Sequence, residues 1–323
     1  MSNTQPDTSI PSGWRKALES LPERKDKSGP IPAFFFAHGH PGIYFDMEPR
    51  SARDGLQGAD GPLHHFLKDF GPTLLRKYNP DAIVVFSAHW ETEPDTLVTD
   101  YGTDQPLLFD YYGFPEHFYK TQWHSNGSSD LSAKVVSALR SAGISARTTS
   151  RLEPRGQDGK IGPAPGLDHG VFIPFKLMFP EGNHGTFPIP IVQVSIDGSL
   201  DPTKNIELGQ AVSSLRHQNI LILCGGLTIH TFKDWSQWQK VKASKPVLDF
   251  ESAIVSSALL PNTEERLKAL KDLIKLPGFR IAQPREDHFV PIWVAAGAGS
   301  DGNGKSVLIS DLHGCKTIAF GVE

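Results

Sequence analysis

The segment AIVVFSAHW, residues 82–90, decides the fold class. Its first part, Ala82 to Ser87, is an almost continuous apolar run rich in β-branched residues. Such a run is typical of a strand that is buried on both faces of a parallel sheet. His89 follows two residues later. The segment therefore predicts a buried strand that delivers an imidazole at its carboxyl end.

The same pattern occurs twice more in the chain. The run IPAFFFA, residues 31–37, leads into His38, and the run ILILCGGL, residues 220–227, leads through two residues into His230. In open α/β sheets, ligands bind at the carboxyl edge of the strands. Three histidines with this placement favour one shared site over three unrelated structural residues, and they favour metal chemistry in particular.

Strand and helix patterns alternate along the whole chain. Strands are predicted at residues 32–37, 82–87, 96–99, 146–149, 189–196, 220–224, 307–310 and 317–320. Helices are predicted at residues 63–78, 130–142, 169–179, 203–217, 246–260, 264–274 and 288–296. This alternation predicts an α/β fold with a central, mostly parallel or mixed sheet, helices on both faces and the site at the carboxyl ends of the strands.

The domain organisation follows from length and local composition. The chain has 323 residues and 38% hydrophobic content, enough for one large core. We expect residues 1–29 to be a flexible N-terminal tail, with a short helix around Trp14 to Leu21, and residues 30–323 to form a single catalytic domain. The sequence has no long linker that would separate two cores.

Charge and cysteine content exclude several classes of function. The formal net charge is −4, which argues against binding along nucleic-acid phosphates. No apolar run approaches the roughly 18 residues that cross a bilayer, and residues 1–29 lack an apolar signal core, so we expect a cytoplasmic protein without membrane contact. Only two cysteines are present, Cys224 and Cys315, and both lie in or near apolar strands. Any metal must therefore be held by imidazole and oxygen.

The thirteen histidines can be divided into candidate site residues and surface residues by their places relative to the predicted strands and helices. His169 and His288 open predicted helices, so they can join the three strand-end histidines in one crevice. We expect surface positions for the histidines in loops and near helix ends, which are His117, His124, His184, His217 and His313. No carboxylate has an equally clear position; Asp46, Glu91 and Glu286 are possible ligands. The roles of His40, His64 and His65 stay open.

The residue types alone leave the metal open. Imidazole binds zinc, iron, copper and nickel. Many non-haem Fe(II) oxygenases use two histidines and one carboxylate, whereas catalytic zinc takes three protein ligands and a water. An all-histidine set is compatible with both metals.

Six blocks of sequence carry a resemblance to a known family. They are residues 36–41 (FAHGHP), 87–90 (SAHW), 112–115 (YGFP), 166–170 (GLDHG), 225–230 (GGLTIH) and 287–291 (DHFVP). In this order they resemble the class III extradiol ring-cleavage dioxygenases, and within that LigB-like superfamily the branch of the DOPA 4,5-dioxygenases. The resemblance spans about residues 31–298. His40, where that branch usually has a small residue, and the long segment 151–165 depart from the pattern and bear on the substrate.

The resemblance implies a role for each of the five histidines. His38, His89 and His288 would be metal ligands, His230 a ligand or an acid/base group, and His169 an acid/base residue. It implies Fe(II) for catalysis, although Zn(II) can occupy such sites in isolated protein. The substrates would be O₂ and a small catechol, and the product a ring-opened semialdehyde. The chemistry is consistent, because a metal lowers the pKa of a bound oxygen acid and a histidine can accept the released proton.

The aromatic segment FDYYGFPEHFY, residues 109–119, has no clear periodicity. We predict that Tyr112, Phe114 or both wall the catechol pocket, since planar substrates favour aromatic neighbours. The alternative is a hydrophobic plug beneath a loop.

Two further functions compete with ring cleavage. A zinc hydrolase could use the same imidazoles to activate water. The second alternative is a non-enzymatic binding protein on this scaffold, as in the Memo branch of the superfamily. Such a protein does not need the acid/base residues His169 and His230.

Overall fold

The computed structural model describes residues 7–24, 27–45, 52–155 and 164–323. Within these ranges the strands are β1 (Ala33–Ala37), β2 (Ala82–Thr92), β3 (Thr96–Thr99), β4 (His124–Ser125), β5 (Ala146–Thr149), β6 (Thr186–Phe187), β7 (Ile191–Asp197), β8 (Ile220–Gly226), β9 (Lys305–Ser310) and β10 (Thr317–Val322). The helices are α1 (Pro11–Ser20), α2 (Ala52–Gln57), α3 (Pro62–Tyr78), α4 (Ser129–Ser141), α5 (His169–Met178), α6 (Pro202–Val212), α7 (Lys245–Ala258), α8 (Thr263–Asp272), α9 (Phe279–Ala282) and α10 (Val290–Ala298).

Eight strands form one mixed sheet in the order β5-β3-β7-β2-β8-β1-β10-β9. The four central strands, β7, β2, β8 and β1, are parallel to one another, while β10 and β9 add antiparallel pairs at one side. On the other side, β3 is antiparallel to β7 and parallel to β5. The predicted α/β class with a mostly parallel, mixed sheet is confirmed.

Neighbouring phenylalanines of β1 show that both faces of the sheet are covered. The ring of Phe36 packs against Phe70 of α3 and Phe175 of α5. Successive strand residues point to opposite faces, and Phe35 lies on the side where α10 packs on β1 and β8. Both phenylalanines are fully buried.

The sheet order brings three of the predicted histidines to one edge. Strands β2, β8 and β1 are direct neighbours and parallel, so their carboxyl ends meet. His38 follows β1 as predicted. His89, however, lies inside β2, which continues to Thr92 rather than ending at Ser87; the pairing of β2 with β7 loses its register between Phe86 and Glu91. The irregularity lies in the part of β2 that carries His89.

The N-terminal segment corrects one expectation. Residues 11–20 form helix α1, which packs on α3 and on β9. Trp14 is 1% exposed and its indole N–H donates to Asp69 at 2.8 Å. The expected flexible tail over residues 1–29 therefore does not include this helix. The apolar residues of α1 are buried where the helix packs on α3 and β9. The boundary of a catalytic domain at residue 30 stays a prediction.

Two smaller expectations concern the rest of the chain. Cys224 and Cys315 are both buried, as the apolar runs around them indicate. None of the helices in the described ranges combines the length and the apolar character that crossing a membrane requires.

Candidate metal and catalytic site

Three buried histidines converge at the carboxyl edge of the sheet. His38, His89 and His288 each offer a ring nitrogen, and these three nitrogens lie within 4.8 Å of one another. The ring centroids are 5.1 Å apart for His38 and His89, and 4.7 Å apart for His89 and His288. His38 directly follows β1, His89 lies in β2, and His288 lies in the turn before α10. Their ring nitrogens can reach one common point.

The hydrogen bonds of His38 fix its tautomer. Its Nδ1 lies 2.6 Å from the carbonyl oxygen of Gly39, so Nδ1 carries the proton and donates it. The Nε2 atom then keeps its lone pair, and it is buried without a hydrogen-bond partner among the described residues. Burial, followed by the neighbouring histidines, lowers the pKa of His38 well below its usual value. His38 is therefore a neutral imidazole, the form that binds metals.

His288 is oriented by the residue before it in sequence. Its Nδ1 lies 2.8 Å from a carboxylate oxygen of Asp287, which leaves Nε2 as the acceptor atom. Burial and the nearby His89 lower the pKa of His288. Metal-binding histidines commonly donate their second N–H to a carboxylate in this way. His288 lies two residues before α10, which begins at Val290, so the prediction that it opens this helix is wrong by that margin.

A glycine lets the segment with His288 approach the sheet. A Cβ atom at Gly226, the last residue of β8, would lie 2.4 Å from the carbonyl oxygen of His288. That same carbonyl accepts a hydrogen bond from Leu227 at 2.8 Å. A side chain at Gly226, the second residue of the GG pair, would therefore clash with the backbone of His288.

A buried network of hydrogen bonds holds the backbone of His89. The backbone N–H of His89 donates to Ser87 Oγ at 3.2 Å, and Ser87 donates to Asp168 at 2.7 Å. Arg155 pairs with the same carboxylate at 2.6 Å. Burial alone would raise the pKa of Asp168, but the guanidinium of Arg155, His89 and the hydrogen bond from Ser87 together lower it. Next to this network, a Cβ atom at Gly170 would meet the His89 ring at 2.8 Å.

His169 is the first residue of α5, as predicted, and forms a second group with Asp110 and His89. Asp110 accepts from the backbone N–H of His169 at 2.9 Å and from its Nδ1 at 2.8 Å. Its other carboxylate oxygen lies 3.8 Å from Nδ1 of His89. Burial would raise the pKa of Asp110, yet the facing histidines lower it. Asp110 is therefore an ionised carboxylate between two imidazoles.

His230 lies beside the three converging histidines rather than among them. Its ring stacks on that of His288 with centroids 3.3 Å apart, and it shares a second group with His288 and Asp287. Burial, and then His288, lower the pKa of His230 well below its usual value. His230 is therefore a neutral imidazole stacked on the His288 ring.

The aromatic segment meets the site through a residue that the sequence did not single out. Tyr111 lies edge-on to the His169 ring with centroids 5.5 Å apart. Tyr112, in contrast, is 82% exposed, so of the two residues predicted for the pocket wall it has the less support and its role stays a prediction. Phe114 packs against Tyr111 and Phe118, one layer away from the histidines.

The remaining candidates have other partners. Glu91 pairs with Arg285 and Glu286 pairs with Arg280, and neither belongs to the group of three converging ring nitrogens. His40 contacts Asp54 at 3.2 Å. Asp46 lies outside the described residues. His117, His184 and His217 are exposed, as expected for surface positions. The surface prediction for His313 is wrong, because its side chain is only 10% exposed and lies 3.6 Å from Glu251.

Sequence reasoning missed two functional carboxylates. Asp287 stands next to His288 in a quoted motif, and its adjacency was a usable signal. Asp110 is the single carboxylate in the strongly aromatic stretch 109–115, and a charged residue in such a stretch needs a buried partner. That partner, His169, is 59 residues away.

Comparison with known proteins shows the family. Residues 32–320 match the family described as the catalytic LigB subunit of aromatic ring-opening dioxygenase. The chain is 40% identical over 314 residues to a "4,5-DOPA dioxygenase extradiol-like protein" of Schizosaccharomyces pombe, covering 96% of this chain and 97% of that protein. It is 29% identical to the "4,5-DOPA dioxygenase extradiol" of Beta vulgaris, covering 89% and 94%.

A crystal structure of an uncharacterized protein from Escherichia coli K12 has the same fold, with a TM-score of 0.63 and 22% identity, over 90% of this chain and 100% of that one. The chain belongs to the LigB family of aromatic ring-opening dioxygenases. The predicted membership of the class III extradiol dioxygenases, in the branch of the DOPA dioxygenases, is confirmed.

Proposed function

We propose that this protein cleaves a small catechol next to one of its hydroxyl groups and inserts both atoms of O₂, and that it does so with a metal held by His38, His89 and His288. The observation that carries the proposal is the meeting of three buried ring nitrogens within 4.8 Å. His38 and His288 each have Nδ1 engaged and Nε2 available, which fits a divalent metal.

Iron is the metal that we propose for turnover. Bound at these histidines, Fe(II) would acidify a catechol hydroxyl and supply the redox chemistry that O₂ requires, whereas Zn(II) is redox-inert. Zn(II) fits the same three imidazoles and could be present in isolated protein. O₂ is the only oxidant needed, because all atoms of the catechol and of O₂ appear in the ring-opened semialdehyde.

His169 is the proposed proton acceptor and donor. Asp110 accepts from its Nδ1, so the lone pair of His169 is on Nε2. This atom can take the proton of a catechol hydroxyl and return it when the O–O bond breaks. His230, neutral and stacked on His288, is proposed to contact the substrate oxygen as a second acid/base group rather than as a ligand, because it lies outside the group of three converging nitrogens.

Aromatic side chains form the proposed wall for the planar substrate. Tyr111 faces His169, and Phe109 and Phe172 pack behind it. The Tyr111 hydroxyl donates to the Phe118 carbonyl at 2.7 Å, which fixes the ring. Phe114 supports this wall through Tyr111.

The names of the relatives support a DOPA-like catechol as substrate. The proteins from Beta vulgaris, Mirabilis jalapa and Portulaca grandiflora are all named 4,5-DOPA dioxygenase extradiol. A hydrolytic function would need only water, and family membership counts against it. A cytoplasmic location remains part of the proposal.

The test is a catechol panel after anaerobic loading of the full chain with Fe(II). We expect O₂ uptake together with a yellow product for at least one catechol, and neither signal with the zinc-loaded protein. Hydrolysis of an ester or amide without O₂ uptake would contradict the proposal.

A further inference from the structure

A guanidinium near the histidine cluster has a buried donor that finds no acceptor in the part of the chain that the structure describes. Arg53 of α2 has a side chain that is 17% exposed, and its Nε is buried with no hydrogen-bond partner among the described residues. Among the described residues, the carboxylate of Asp54 lies 3.6 Å from its Nη2, too far for a hydrogen bond. A mostly buried cation normally has its donors paired. Arg53 therefore has donor capacity for an anion.

The position of Arg53 connects it to the proposed active site. Its guanidinium carbon lies 5.3 Å from the ring centroids of both Phe232 and Trp235. The Phe232 ring in turn lies edge-on to His230, with centroids 4.8 Å apart.

The two aromatic rings beside Arg53 are unusually exposed for their size. Phe232 is 51% exposed and Trp235 is 41% exposed, and the rings contact each other with centroids 5.6 Å apart. A cation over aromatic faces next to a metal site suits a ligand with an apolar linker and an anionic end.

Neighbouring residues hold Arg53 in place. His40 accepts from the backbone N–H of Gly42 through Nδ1 at 3.0 Å, so its proton is on Nε2. That atom faces Asp54 at 3.2 Å. His40, which departs from the family pattern, thus positions the carboxylate beside Arg53 and the short helix α2 that carries both.

We propose that Arg53 binds the carboxylate of a catechol with an acidic side chain, while the catechol ring lies at the histidine cluster. This inference rests on the proposed ring-cleavage function and names its substrate class. A guanidinium can pair with a carboxylate through two parallel hydrogen bonds. Phe232 and Trp235 would cover the linker between ring and carboxylate.

The experiment compares two ligands that differ in the carboxylate. Binding of 3-(3,4-dihydroxyphenyl)propionate and of 4-ethylcatechol to the zinc-loaded full chain is measured anaerobically by calorimetry. Zinc prevents turnover, so affinity is read without activity. We expect wild-type protein to bind the propionate about 10–100-fold more tightly, the range for a hydrogen-bonded charge pair. Equal affinities in the wild type would overturn the proposal, whatever the variants do.

Variants then assign the preference to Arg53. Arg53→Met should lose the preference for the propionate with little change for 4-ethylcatechol, and Arg53→Lys should retain part of it, because lysine keeps the charge without the planar fork. The control is Arg15→Met, an exposed arginine on α1, which should keep the wild-type preference. If Arg53→Met weakens both ligands equally, the assignment is wrong.

Ring cleavage is scored separately with the Fe(II)-loaded wild type. Cleavage of 4-ethylcatechol without any binding preference would overturn the role of Arg53 alone. Preferential binding of the propionate without cleavage of either catechol would overturn the proposed function and leave the anion site supported.

Discussion

Two carboxylate–imidazole pairs flank the candidate metal position, and they differ in how the chain builds them. Asp287 and His288 are adjacent in sequence, while Asp110 and His169 come from segments 59 residues apart. Both carboxylates engage Nδ1 at 2.8 Å and leave Nε2 as the acceptor. His288 lies with His38 and His89, whereas His169 lies with His89 and Asp110. In the proposed function, the same local chemistry therefore serves once for a metal ligand, His288, and once for a proton carrier, His169.

The largest expected effect comes from the ligand side of this comparison. His38→Ala, His89→Ala and His288→Ala should each remove bound metal and abolish turnover, because each deletes one of three ring nitrogens. Elemental analysis of the folded variants checks this. His217→Ala, at an exposed histidine, is the matched control and should retain full metal content. Unchanged metal in all three site variants would show that the ligand assignment is wrong.

The proton-carrier side should behave differently. His169→Ala should keep its metal but lose about 10²–10⁴-fold in turnover, the usual contribution of an acid/base group. Metal content and kcat are measured on the same preparation. Turnover close to wild type with the best catechol would dispose of this role, and loss of metal would move His169 to the ligand group.

A variant of Asp110 tests whether this carboxylate acts by orienting His169. Asp110→Asn should lower kcat by about 10–100-fold, as is common for a residue that orients a histidine, with KM and metal content nearly unchanged. The split between kcat and KM is the informative readout, since a purely structural carboxylate would change stability alone. Asp287→Asn is the parallel variant on the ligand side and should weaken metal binding instead. Identical behaviour of the two variants would remove the distinction between the pairs.

The smallest effect is expected in the aromatic segment. Phe114→Ala should destabilise the protein by about 1–3 kcal/mol, less than a fully buried phenylalanine, and should raise KM or alter the ranking of catechols through Tyr111. Melting temperature and a KM panel are measured together, with Tyr112→Ala as the exposed control. A change in stability alone would mean that Phe114 is packing and not part of the pocket wall.

The sheet could be predicted because apolar runs and helical periodicity are local signals. Residues 82–87 indicated β2, and the alternation of such runs with helical patterns indicated a mostly parallel sheet with helices on both faces, but not the order of its strands. The continuation of β2 to Thr92 was not visible, since it depends on a register irregularity against β7. Helix α1 was underestimated because the partner of Trp14, the α3 residue Asp69, lies 55 residues away.

For the site, the places of the histidines at strand ends and helix starts predicted which of them come together. The sequence did not show which carboxylates orient them. The strand ends and the helix start indicated His38, His89 and His169 from sequence. Asp110 was hidden because its role depends on a contact with α5, and Tyr111 was passed over for Tyr112, since the side of an irregular segment that faces inward has no periodic signal. Arg53 has no sequence signal at all; only its surroundings reveal it.

The most direct test of the account is the fate of labelled oxygen. The Fe(II)-loaded protein is given a catechol under ¹⁸O₂, and the ring-opened product is trapped by borohydride reduction before its aldehyde exchanges oxygen with water. The account predicts that both heavy atoms appear in one product molecule, one in the new carboxylate and one in the former aldehyde. A product without label, or with oxygen derived only from water, would contradict it.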